Sequence, residues 1–244
     1  MKLLSVLFAL VLFSTNIFAA GHYVTYQVKD QPYEGYYISP AADAPLVLMI
    51  HDWDGLNQYE VKRASMLSQL GYAVFAADMY GKGIRPTETA DKKRLTGQLY
   101  QDRAKMRTLL DGAVTAAKAQ GGNIANAVTI GYCFGGAVTL EHARSGAPMQ
   151  GFVSFHGGLT TPQGQDYSQT KGNLLILHGS ADTAVSMQDF ANLATELEKA
   201  KIHHEMISYS GAPHAFTVFG SDRYRKDADE KSWRRFVEYL QETL

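Results

Sequence analysis

The chain holds a single cysteine, Cys133, among 244 residues. No disulfide can form within it, which excludes a stapled, cysteine-rich scaffold. It also lacks a surplus of either charge: 23 Lys and Arg stand against 24 Asp and Glu. That balance, with no basic block, points away from nucleic acid and acidic membrane surfaces as partners. Internal repeats, low-complexity segments and linker-like stretches are missing too, so one domain is expected. The histidines show no ligand spacing with acids, and no metal is expected.

The N-terminus reads differently from the rest. Lys2 precedes an apolar stretch over 3–13, broken only by Ser5, and a polar-to-small segment follows over 14–20. This is the pattern of a secretory signal peptide over 1–20, cleaved after Ala19 or Ala20. Its apolar part is well short of the roughly 20 residues that span a bilayer. Residues 21–244 then form the mature domain, exported, periplasmic in a Gram-negative host and otherwise secreted. It is expected to be free of the membrane after cleavage, with a monomer favoured.

Residues 22–30 and 33–39, separated by Asp30-Gln31-Pro32, read as an antiparallel edge hairpin. Apolar runs at 46–50, 72–77, 127–130, 151–155 and 173–177 have the composition of strands covered on both faces. A last strand is expected at 204–209. Helical spacing places helices at 58–70, 90–119, about 187–199 and about 227–242. Ser186 and Asp189 form a capping-box pattern before the third of these. The alternation predicts an α/β class: a mostly parallel sheet with an antiparallel N-terminal edge and helices on both faces.

Gly131-Tyr132-Cys133-Phe134-Gly135-Gly136 lies between a β-favouring run and a helix-permissive one. Strand, sharp turn and helix in that order describe a nucleophile elbow, with cysteine where serine is usual. In a parallel sheet, ligands bind where the carboxyl ends of the strands emerge. Polar clusters fall at those ends: His51-Asp52-Trp53, Asp78 with Tyr80, Cys133, Asp182 and His214. The order nucleophile, acid, histidine is that of the α/β-hydrolase fold. Cys133 would attack an acyl carbonyl, His214 would move the proton, and Asp182 would hold the imidazole. The backbone N–H groups of Phe134 and Trp53 would receive the oxyanion. His156-Gly157-Gly158 reads as a structural turn, because an oxyanion loop of that type should precede the nucleophile. The loops at 82–89 and 162–171 are expected to shape the pocket mouth. Other readings stay open: a buried cysteine on a glycine-rich turn, a non-catalytic small-molecule-binding protein, or a redox thiol, which would lack a resolving partner in the chain.

With these residues in place the sequence resembles the dienelactone hydrolase family over nearly all of 21–244. The resemblance is carried by the elbow, His178-Gly179-Ser180-Ala181-Asp182, Gly211-Ala212-Pro213-His214-Ala215-Phe216, and Asp78-Met79-Tyr80. It implies a thiol-dependent hydrolase of small esters or lactones that needs no cofactor. It also implies that Asp52, with Tyr80 beside the pocket, controls ionisation of the thiol. Family members acting on anionic dienelactones place two arginines against the substrate carboxylate. The corresponding positions here are Lys82, a possible substrate contact, and Val218, which favours a neutral or differently shaped ester.

Overall fold

Strand β3 (Pro45–Ile50) shows how the molecule is layered. Leu46, Leu48 and Ile50 enter one apolar cluster, Val47 and Met49 the other, and all five are fully buried. An unbroken apolar run is what a strand with helices on both sides requires. The computed structural model describes residues 20–244. The expected signal peptide therefore lies, except for Ala20, outside the described residues.

In chain order β1 (His22–Val28), β2 (Gln31–Ile38), β3, α1 (Gln58–Gln69) and β4 (Ala73–Ala77) come first. Next are α2 (Thr89–Gln101), α3 (Arg103–Ala119), β5 (Asn123–Tyr132), α4 (Phe134–Arg144) and β6 (Gly151–Phe155). The chain closes with β7 (Asn173–Gly179), α5 (Met187–Ala200), β8 (His204–Tyr209) and α6 (Lys226–Thr243). Eight strands form one sheet in the order β1-β2-β4-β3-β5-β6-β7-β8. β1 pairs antiparallel with β2, and β2 antiparallel with β4; every other pairing is parallel. Apolar residues of α1 and α6 pack on one face, and those of α3, α4 and α5 on the other.

The single helix expected at 90–119 is two helices. Asp102 leaves helical geometry (φ −116°, ψ 78°), and its carboxylate accepts the Lys105 N–H at 2.8 Å. Asp102 thus caps α3 in the way a short acidic side chain does best. Apolar spacing continues through the break, with Leu99 buried before it and Met106, Leu109 and Leu110 after it. For that reason periodicity read straight across. The capping box at Ser186 and Asp189 is formed as its sequence requires.

Candidate active site

The elbow is a backbone arrangement before it is a side-chain one. β5 ends at Tyr132, Cys133 takes the left-handed region (φ 51°), and α4 begins at Phe134. A non-glycine residue there is strained and persists only where its surroundings hold it. The Cys133 N–H donates to the Phe155 carbonyl at 3.0 Å and to Nδ1 of His156 at 3.2 Å. A Cβ on Gly135 would stand 2.3 Å from the Ile50 carbonyl oxygen. Only glycine lets α4 start this close to the end of β3.

β5, β7 and β8 bring three of the expected residues together from distant parts of the chain. His214 Nε2 stands 3.0 Å from the Cys133 sulfur, and its Nδ1 stands 2.8 Å from Asp182 Oδ2. The other oxygen of Asp182 accepts the N–H groups of Ala184 and Val185 at 2.8 and 2.9 Å. Burial works against the charge of Asp182, but the His214 hydrogen bond and those backbone donors outweigh it. Its carboxyl is held below the ordinary value. Such a carboxylate fixes a proton on Nδ1 of His214 and leaves Nε2 to accept one from sulfur.

Around the sulfur the balance runs the other way. Burial pushes the Cys133 thiol well above its ordinary value, and the charge and hydrogen bond of Asp52 push it further. The Phe134 N–H at the start of α4 opposes them by favouring the thiolate. At rest the thiol is therefore neutral. Asp52 itself is raised to about 6, by burial first and then by the charge of Asp54. Beneath it the buried carboxyl group of Glu60, raised to about 8 chiefly by burial, accepts the N–H groups of Asp52 and Asn57, at 3.3 and 2.9 Å.

These directions set an expected outcome. The folded-state pKa of Asp52 lies above its ordinary 3.8, so the folded protein holds this proton more tightly than the unfolded chain. The stability it contributes is complete below about pH 4 and is lost as pH rises toward about 6. Asp52→Asn cannot ionise, so its unfolding free energy lacks that decline when urea titrations of the two proteins are compared across this window. Without the charge, alkylation of Cys133 at pH 7 should run about tenfold faster. An unchanged rate would mean that Asp52 does not govern the thiol.

The remaining expected residues are placed as follows. The Trp53 N–H donates to the side chain of Asp52. Tyr80 lies behind the site, its hydroxyl donating to the Trp53 carbonyl at 3.0 Å and its ring packed on His51 and Phe134. Asp78 is structural: it is fully buried and accepts the N–H groups of Glu34, Tyr80 and Gly81. Lys82 is turned to Thr25 Oγ1 at 2.9 Å and to Glu34, away from the cavity above Cys133. Val218 lines a smaller hollow behind Asp52.

The cavity above Cys133 has a volume of about 540 Å³. Neither the 82–89 loop nor the 162–171 loop lines it. Its walls include Thr96 and Tyr100 of α2, Arg103 at the start of α3, Leu159, Asp189 and Arg223. No short stretch of sequence announces these residues, because they come from five different parts of the chain. The α2–α3 break adjoins Tyr100 and Arg103, but apolar spacing ran straight across it.

Residues 33–244 match the family described as dienelactone hydrolase. A solved dienelactone hydrolase-like promiscuous phosphotriesterase from metagenomic libraries superposes with a TM-score of 0.86 at 28% identity, covering 92% of this chain and 98% of that one. A protein of Escherichia coli named "Putative carboxymethylenebutenolidase" is 23% identical over 208 residues, 81% of this chain and 77% of its own. Another of that name from Synechocystis is 25% identical over 228 residues, 86% of this chain and 92% of its own. The match over residues 33–244, on this sheet and around this cavity, makes the chain a member of the dienelactone hydrolase family and a hydrolase of that type.

Proposed function

We propose that the protein is an exported, thiol-dependent hydrolase that opens a small ester or lactone through an acyl-thioester on Cys133. The observation that carries this reading is the unbroken series Asp182, His214, Cys133, with separations of 2.8 and 3.0 Å. His214 Nε2 takes the thiol proton as sulfur attacks the carbonyl carbon. The N–H groups of Phe134 and Trp53 receive the oxyanion, each worth roughly 3 to 4 kcal/mol in comparable sites. Trp53 serves once Asp52 turns away from its N–H. The imidazolium then gives its proton to the leaving oxygen. A water deprotonated by His214 cleaves the thioester, releasing the acid and restoring the thiol.

The cavity wall supports a substrate with an anionic substituent. Arg103, which is also paired with Glu141 at 3.5 Å, and Arg223 line it from elements other than positions 82 and 218. The ester or lactone would lie at Cys133, and the anionic end toward these arginines. Arg223 is exposed, so Arg223→Ala should leave stability within about 0.5 kcal/mol. It should raise KM for a carboxylate-bearing aryl ester about fivefold and leave KM for the neutral ester unchanged. Equal effects on both esters would count against the assignment.

Turnover of a short-chain aryl ester, before and after alkylation of the only cysteine, tests the reading. Activity should disappear as one equivalent of thiol is consumed, and activity that outlasts complete alkylation would overturn it. Export is tested by N-terminal sequencing of the mature protein, which should begin at Ala20 or Gly21.

A further inference from the structure

A buried hydrogen-bond chain joins the elbow to the turn that carries His214. Nδ1 of His156 accepts the Cys133 N–H at 3.2 Å, and a ring nitrogen that accepts carries no proton. The ring proton therefore sits on Nε2, which donates to Thr217 Oγ1 at 2.7 Å. The Thr217 hydroxyl is hydrogen-bonded to Tyr59 OH, also at 2.7 Å, and either oxygen can donate. Arg63 closes the far end. Its Nε donates to Tyr59 OH at 3.3 Å, and its Nη2 donates to the Thr217 carbonyl at 2.9 Å and pairs with Asp229.

The obligate donor at Cys133 fixes the donor sense as far as Thr217, and the guanidinium of Arg63 donates at the far end. His156 and Thr217 are both fully buried, where a polar group without a partner is costly. His156 also occupies the left-handed region (φ 41°). Strain of this kind in a non-glycine residue is kept only where neighbours fix the geometry. Burial holds its imidazole well below the ordinary value, so the ring is neutral.

We propose that His156 is a positioning residue: held as the Nε2–H tautomer, it ties the Cys133 backbone through Thr217 to the 214–217 turn and keeps His214 at the thiol. This rests on Cys133 and His214 acting as nucleophile and base. The turn after β6 is thus a strut between the two halves of the proton-transfer pair, although His156 touches neither substrate nor sulfur.

The test uses two readouts that need no turnover and one that does. Nitrogen–proton correlation spectra of the ring nitrogens in the unaltered mature protein should show His156 with its proton on Nε2. Thr217→Val keeps the shape but removes the acceptor. It should slow alkylation of Cys133 by iodoacetamide and lower kcat by about tenfold or more, with KM within about twofold. Thr217→Ser should restore both. Tyr59→Phe, which removes the next link, should shift both in the same direction, and it replaces the valine variant if that fails to fold. A proton on Nδ1 of His156 overturns the proposal, as do wild-type rates in Thr217→Val or equal impairment in Thr217→Ser. If no ester is turned over, the hydrolase reading fails, while the alkylation rate and the tautomer still decide this one.

Discussion

Cys133→Ala should lower kcat/KM for a short-chain aryl ester by at least about ten-thousandfold. The size of the effect follows from what remains. Alanine leaves the cavity, the Phe134 N–H and the Asp182–His214 pair in place, yet no atom can form the acyl intermediate. Oxyanion donors and binding alone sustain only the residual catalysis seen when a nucleophile is removed from comparable sites. The variant should fold, because Cys133 is half-buried at the edge of a core cluster and alanine removes only its sulfur. Steady-state kinetics with a matched urea titration separate the two effects. Activity within tenfold of the parent would remove Cys133 from the mechanism.

Gly135→Ala should destabilise the fold by more than about 3 kcal/mol. A Cβ would meet the carbonyl oxygens of Ile50 at 2.3 Å and His51 at 2.6 Å. Both are backbone atoms at the end of a buried central strand, so neither can swing aside as a flexible side chain could. Either α4 must withdraw or β3 must bend, and each movement carries Phe134 or Asp52 away from the sulfur. Gly97 supplies the contrast. It lies within α2, and a Cβ there would meet nothing within 4 Å. Gly97→Ala should therefore stabilise by up to about 1 kcal/mol. Urea midpoints of the two variants should move in opposite directions. A Gly135→Ala protein as stable as the parent would show that the close approach at the elbow is not a constraint.

The parts of the site legible in the sequence are those whose chemistry is covalently local. Gly131 to Gly136 specifies strand, turn and helix within six positions, the clusters at Asp52 and Asp182 follow apolar strands, and His214 lies in the turn after the last strand. What the sequence concealed is formed by distant pieces. Arg103 and Arg223 share a cavity wall though they stand 120 positions apart in the chain, and no short window of sequence contains both. His156 read as a turn residue because its partner Thr217 lies 61 residues away. The break at Asp102 was hidden because apolar spacing survived it, while a capping hydrogen bond, which leaves no periodic trace, decided the boundary. Lys82 shows the converse: its chain position suggested the cavity, but its ammonium group faces Thr25 and Glu34 on the hairpin side.

The placement of Cys133, Asp182 and His214 at the ends of β5, β7 and β8 also orders events in time. A ribosome delivers the chain from its N-terminus, so the sulfur appears first, its acid-bearing loop second and the histidine near the close. Until β8 lies against β7, the turn that carries His214 has no fixed place beside Cys133. The contact between Cys133 and His214 thus depends on β8, which follows the other seven strands in the chain.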